Sequence, residues 1–309
     1  MKRYTRTTKL MGCRFTLGVI ANSPLQATKW LDDGVSEIAR IERMLTEFKP
    51  NSVTSRINEE AVTHPVVIPK EVLDLIDRAN QISRLSHGFF DITMGALKKL
   101  YKFNNEVFLL PSKHEIKRVL KKVGYQGIHL DPSRSTIRFR KKGMRISFAA
   151  IGKGYAADKV LQLWKKEAIP GGFVNASGDL AAFGANEKGD PWSIGIAHPD
   201  NPETTLFRLP ILNSAVATSG DYEQHFVHKG VRYSHTIDPR TGYPVCAIKS
   251  VSVFSPSAEL SDALATAVSS MGIKKGLSFI EQLPNTHAIL VDSENQIHFT
   301  QQLHYEAVS

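Results

Sequence analysis

The chain is poor in cysteine, with only Cys13 and Cys246 among its 309 residues. Two cysteines make neither a disulfide framework nor a thiolate metal centre, and they fit a reducing compartment. Both read as strand or core filler. No apolar run approaches the ~20 residues that span a bilayer, so no transmembrane segment is expected. The N-terminus, "MKRYTRTTKLMGCRF", is basic and lacks the apolar stretch of a secretory signal. Its "LMGC" has the look of a lipoprotein cleavage site, but without that stretch Cys13 reads as a small strand residue. A cytoplasmic location is expected, or a periplasmic one if the chain is a processed form. Gly/Ser-rich linkers, low-complexity tracts and the G-x-x-x-x-G-K-[ST] spacing of a Walker loop are also missing. The chain therefore reads as one compact unit over 1–309.

What is present is an ordinary globular composition, 42% hydrophobic and 22% charged, carrying a net charge of +9. That charge is uneven. Residues 98–145 hold fourteen Lys or Arg against Glu106, Glu115 and Asp131, a net of +11 that leaves −2 for the remainder. Such a segment can attract nucleic acid, anionic lipid or an acidic protein. No nucleic-acid-binding motif accompanies it, which favours a solvated surface and no nucleic-acid partner.

Apolar spacing predicts helices over 23–48, 70–86, 113–123, 151–167 and 260–282. Strands are expected at 13–20, within 127–148, in short pieces from 172 onward, and around 287–300. Helices and strands mix without strict alternation, which favours α+β over a doubly wound parallel sheet. One local echo stands out: "VNASGDL" (174–180) and "VATSGDY" (216–222) share V-x-x-S-G-D. The echo is either chance or two strand-to-turn corners that place similar groups at one cleft.

Several segments can carry chemistry. In "SAELSDALATAV" (257–268), Asp262 and Thr266 are four apart and share a helical face. A carboxylate and a hydroxyl so placed can hold a hard cation such as Mg²⁺. A helix-start acid and a threonine bonding its own backbone explain the pair equally well. In "AAIGKGYAAD" (149–158), Gly152, Lys153 and Gly154 ahead of a helix offer an anion site, or simply close helix packing. "GFFDITMGALKKLY" (88–101) sets Asp91 and Thr93 among aromatics that can clamp a planar ring or fill a core. In "YSHTIDPRTGYP" (233–244), His235 can act as a general base, and Asp238 can bind a metal or orient a neighbour. A structural turn is the other reading of that stretch.

The order and wording of these segments resemble the ApbE family, the FAD:protein FMN transferases. The likeness runs from "LMGCRFTLGV" to "DALATAVSSMG" and includes "FKPNSVTSRIN", "FFDITMGAL", "IGKGYAADKV", "VNASGDL" and "PWSIGIAHP". Its strongest matches are "VATSGDYEQ", "YSHTIDPRTGYPV" and "SDALATA", in that order. The resemblance implies a single α+β, T-fold-like domain with a mixed, largely antiparallel sheet and flanking helices. It implies Mg²⁺-dependent transfer of FMN from FAD to a Ser or Thr hydroxyl of a target flavoprotein, releasing AMP. The alternatives are a Mg²⁺-dependent FAD pyrophosphatase and a non-catalytic FAD carrier. Carried over by motif, Asp262, Thr266 and the carbonyl of Gly152 would hold the metal, and His235 would deprotonate the incoming hydroxyl. Phe48, Asp91, Thr93, Lys153, Gly178, Asp179, Ser219, Gly220, Asp221 and Thr236 fall in the stretches that would line the flavin nucleotide. The chain departs from the pattern in "SFAAIGKG", where Ser147 stands in place of a usual acid and Gly152 in place of a usual alanine.

Overall fold

The computed structural model describes residues 1–101, 110–220, 225–228, 231–246, 248–301, 303 and 306–307. It opens with a hairpin of β1 (Lys2–Leu10) and β2 (Cys13–Ala21), followed by α1 (Pro24–Leu45) and α2 (Val53–Glu60). Next come β3 (Val66–Val67), α3 (Lys70–Leu85), the single turn α4 (Gly95–Lys98) and α5 (Lys113–Leu120). A small hairpin, β4 (Ile128–Asp131) and β5 (Thr136–Phe139), precedes α6 (Gly152–Lys166). Five strands follow: β6 (Gly171–Ala176), β7 (Asp179–Gly184), β8 (Trp192–His198), β9 (Asn201–Ile211) and β10 (Ser214–Gly220). The last part holds β11 (His225–His228), β12 (Val231–Ser234), β13 (Ile248–Ser255), α7 (Ala258–Met271) and α8 (Ile273–Ile280). It closes with β14 (His287–Asp292), β15 (Ile297–Phe299) and β16 (Glu306–Ala307).

Eight strands form the main sheet in the order β1-β2-β6-β7-β10-β13-β14-β15, with antiparallel pairing at every ladder. The only parallel contact among the described residues is an isolated bridge between Met94 and Arg145. Both sheet faces are covered, and the period-two alternation of the strands sorts their side chains accordingly. Ala181, Ala215, Ala288 and Leu290 face the helices α1, α6 and α7. Their neighbours Leu180, Ala182, Val216 and Ile289 face Trp192, Ile194, Phe207 and Leu209 of the β8–β9–β16 sheet. On α1, Leu31, Ile38, Ile41 and Leu45 are buried at helical spacing, each worth about 1.5–3 kcal/mol against exposure. Ser23 caps that helix by accepting from the Gln26 N–H, and Pro24 occupies its first position.

The expected single helix over 260–282 is two helices. Gly272 sits between them at φ +82°, a left-handed conformation that ends α7 and redirects the chain into α8. The expected strands over 127–148 stop at Phe139, whose ladder partner Ile128 is the first residue of β4. Cys13 opens β2 as expected, but Cys246 is exposed and fills no core, since it follows a surface turn. The strand β1 and the helix α2 were not foreseen. Tyr4 and Leu10 of β1 pack against the core, Arg6 pairs with Asp32 of α1, and Lys2, Arg3 and Lys9 are exposed on an edge strand of the main sheet.

Candidate active site

Two helices begin beside one another and bring their first turns together. A Cβ on Gly154 of α6 would lie 2.1 Å from the carbonyl oxygen of Ala258, so only glycine permits this approach. Asp158, one turn further along α6, accepts the N–H groups of Ala258 (2.9 Å) and Glu259 (2.8 Å) and so caps α7. Ser257 supplies the ordinary cap, accepting from Leu260 at 3.3 Å. One turn into α7, Asp262 accepts the Gly154 N–H at 3.2 Å. This fixes the Asp262 carboxylate at the mouth of α6, beside Lys153.

A cleft opens over this junction. It is lined by Asp91, Lys153, Ser219, Gly220, His235, Thr236, Asp262 and Thr266 of the predicted set. Ser147, Lys98, Met94 and the faces of Phe89 and Phe90 complete its walls. The enclosed part is about 150 Å³. Ligand pockets usually offer ~300–1,000 Å³, so a dinucleotide would lie partly outside it.

The electrostatics are dominated by two buried acids. Asp179 is 1% exposed and pairs with Lys153 at 2.7 Å. Asp262 is 7% exposed, and its pKa is pushed up to about 7 by burial and by the neighbouring Asp179. Lys153, the Gly154 N–H and Lys98 oppose that rise without cancelling it. Burial in turn lowers the Lys98 pKa, opposed by Glu47 and Asp262. Glu47 accepts the Ser147 hydroxyl at 2.7 Å.

The echo of Ser-Gly-Asp turns has a structural basis. The first forms the corner between β6 and β7, with Ser177 at φ +53° and Gly178 at φ +106°. The second closes β10, the next strand of the sheet, and Asp179 accepts the Thr218 N–H at 3.1 Å across that gap. Thr218, Ser219 and Gly220 therefore reach the cleft while Gly178 and Asp179 stand behind Lys153.

The segment 233–244 is a hairpin-like turn held at many points. The Val245 N–H donates to the Thr236 carbonyl at 2.9 Å, and Asp238 accepts the Arg240 N–H at 2.9 Å. Asp238 is thus a turn-closing acid, with Arg240 also its ion-pair partner at 3.6 Å. Gly242, at φ +76°, lies over α5 so closely that a Cβ would be 2.7 Å from Ile116. Tyr101 donates to the Gly242 carbonyl at 2.6 Å, and Arg240 stacks on the Phe89 ring at 3.6 Å. These contacts hold His235 and Thr236 facing the cleft.

Five predicted residues stand elsewhere. Phe48 is 90% exposed and does not line the cleft. Thr93 is fully buried; it donates N–H and hydroxyl to Asp91 (2.7 and 2.6 Å), and its oxygen accepts the Gly124 N–H. Asp91 also accepts the Tyr125 N–H at 2.8 Å, and burial raises its pKa against these bonds. Gly152 is the buried first residue of α6, beneath the wall, and Gly178 and Asp179 lie behind Lys153 as above. Asp221 lies outside the described residues. Lys98, Glu47 and Thr218 were missed as site residues. Lys98 ends the single turn α4, which the sequence spacing did not predict.

A larger groove of about 710 Å³ lies at the first turn of α7, lined by Arg78, Tyr155, Lys159 and Glu259. Its charges satisfy one another: Arg78 grips Glu259 with bonds of 2.6 and 2.9 Å, and Tyr155 bonds Glu71. The smaller cleft, with its excess of buried acid, is the better candidate for chemistry.

The fold and cleft define an α+β protein in which a histidine-bearing turn faces two oxygen donors on one helix. The same architecture occurs in the ApbE protein of Thermotoga maritima, with a TM-score of 0.90 and 30% identity over 97% of each chain. It occurs also in the apo form of the Pseudomonas stutzeri flavinyl transferase ApbE, with a TM-score of 0.86 and 27% identity over 97% of this chain and 95% of that one. In sequence, the FAD:protein FMN transferase of Treponema pallidum is 27% identical over 96% of this chain and 86% of its own length. That of Klebsiella pneumoniae is 28% identical over 95% and 90%. The ApbE family model matches residues 11–290, and the chain belongs to the ApbE family.

Proposed function

We propose that this chain transfers FMN from FAD to a serine or threonine hydroxyl of a target flavoprotein, using Mg²⁺ and releasing AMP. The observation that carries the reading is the meeting of His235 with Asp262 and Thr266 at one cleft. The names of the relatives support the flavin and the transfer.

The donor set suits magnesium. Asp262 offers a carboxylate and Thr266 a hydroxyl to the cleft, both hard oxygen donors. A buried acid whose pKa is raised by a second acid is a site that a cation would relieve. Asp262 and Thr266 are the residues at the cleft to hold it, with water and phosphate completing the shell. Bound Mg²⁺ would neutralise charge on the phosphoryl oxygens.

The chain's own residues supply the rest. His235 takes the proton from the incoming hydroxyl, which attacks the FMN-side phosphorus as the bond to AMP breaks. Such a base contributes about 10²–10⁴-fold. Lys153, held by Asp179, presents positive charge where negative charge develops. The test is mass spectrometry of a candidate target incubated with the protein, FAD and Mg²⁺, followed by the same assay with His235→Ala. Transfer should fall at least ~100-fold while FAD binding persists. Undiminished transfer removes the base assignment, and steady AMP release without target indicates hydrolysis instead.

A further inference from the structure

The basic segment is contiguous with the catalytic turn. On α5, Ile116 and Val119 are buried while Lys117, Arg118 and Lys121 are exposed. On β5, Ile137 and Phe139 are buried, and Arg138 with the following Arg140 is exposed, as strand alternation requires. The end of α5 and the turn after β5 are in contact: Lys122 lies against Gly143, and Lys141 donates to the Val123 carbonyl at 2.6 Å. The described acids nearby are already engaged. Glu115 closes the capping box of Ser112, and Asp131 accepts from Ser133 and Arg134. The result is one positively charged surface.

This surface leads to the cleft. A groove of about 470 Å³ runs between the end of α5, the 123–126 loop and the 239–240 turn. Asp91 and Pro239 line both this groove and the cleft of His235. Leu120, Val123 and Pro239 give it apolar walls, and Gln126 and Arg240 give it polar edges. A peptide lying in it would pass from the basic surface to the catalytic histidine.

We propose that the 113–142 surface and this groove dock an acidic segment of the protein that carries the acceptor hydroxyl. The proposal rests on the transfer reading given above and names the acceptor's chemistry. Three observations favour a protein over a nucleic acid or a membrane. The basic helix α5 packs against the turn that carries His235, through Ile116 and Gly242. The groove's walls are Leu120, Val123 and Pro239 with one tyrosine, Tyr125, and His87, which is too few rings to stack successive bases along a strand. The basic residues are spread over a helix and a hairpin and do not form one amphipathic helix. Complementary charge steers encounter and sets the productive orientation, so its effect appears in acceptor affinity and salt dependence.

The probe is a fluorescent decaglutamate peptide added to the full-length protein with FAD and MgCl₂, with decalysine, duplex DNA and phosphatidylserine vesicles in parallel arms. Decaglutamate should bind, weaken as salt rises from about 50 to 200 mM, and bind about tenfold more weakly to Lys117→Glu/Lys121→Glu/Arg140→Glu. The neutral variant Lys117→Gln/Lys121→Gln/Arg140→Gln should fall between, which guards against a folding defect in the charge reversal. Flavin fluorescence should report unchanged FAD binding in both. Equal affinity for wild type and reversal, or tighter retention of DNA or vesicles than of peptide, overturns the proposal. A protein that binds decaglutamate at this surface yet transfers no FMN to any target refutes the transfer reading and leaves the docking surface standing.

Discussion

Asp158 is where fold stability and site geometry meet. Its carboxylate accepts two backbone N–H groups of α7, yet burial pushes its pKa up from 3.8 to about 6. Glu259 adds to the rise, while the two N–H bonds and Lys165 oppose it. Because the folded protein holds this proton more tightly than the unfolded chain, ionisation costs stability. The contribution of the protonated acid is intact below pH 3.8 and is lost as pH rises through about 6. The shift corresponds to about 3 kcal/mol above that window, and to about 1 kcal/mol at pH near 4.5. Asp158→Asn cannot ionise. It keeps one acceptor oxygen and loses one of the two bonds, at a pH-independent cost of about 1 kcal/mol. The stability difference between variant and wild type should therefore move by about 2 kcal/mol in favour of the variant between pH ~4.5 and ~7.5. Urea unfolding at several pH values measures it. A difference that stays constant across the window refutes the reasoning.

Two further predictions concern the site. Asp262→Asn should lower Mg²⁺-dependent turnover by at least about 100-fold, because it removes the carboxylate donor. In EDTA above pH ~7 the same variant should be more stable than wild type, since ionised Asp262 is disfavoured there by burial and by Asp179; calorimetry against pH checks the sign. Gly242→Ala places a Cβ against Ile116 at a left-handed position and should cost about 2 kcal/mol. It should also reduce transfer more than FAD binding, because the His235 turn moves while Asp262 does not; parallel losses would argue against the turn as the element that sets the base.

The parts of the site that were legible in the sequence are those whose geometry is local. Asp262 and Thr266 share a face because a helix repeats every 3.6 residues, and both line the cleft. The order β10, then the 235 turn, then α7 was likewise readable from motif order. Residues brought in by strand pairing or long loops were not. Asp179 works through Lys153 and Thr218, which requires knowing that β7 and β10 are neighbours. Thr93 reads as a ligand in its motif, but its hydroxyl is consumed by Asp91 and Gly124, which the sequence places 31 residues away. Phe48 lies in its motif but is exposed outside the cleft, because α1 ends at Leu45 and the chain continues past it. The glycine break at 272 was visible as a residue, but the apolar periodicity on both sides concealed it.

Ser147 shows how a hydroxyl in one segment can couple the cleft to an acid from another. The resemblance puts an acid at this position, and its loss raised the question of how the cleft keeps its negative charge. Ser147 lines the cleft and donates to Glu47, which arrives from the end of α1 a hundred residues earlier. Lys98 feels both Glu47 and Asp262. In this chain a carboxylate therefore stands one hydrogen bond behind the Ser147 hydroxyl at that wall. A serine is small enough to leave that room and polar enough to fix the glutamate; an aspartate at 147 would set two like charges together at one hydrogen-bond distance, which is unfavourable in a buried site. The charge of the wall is a property of the pair, so neither position can be judged alone.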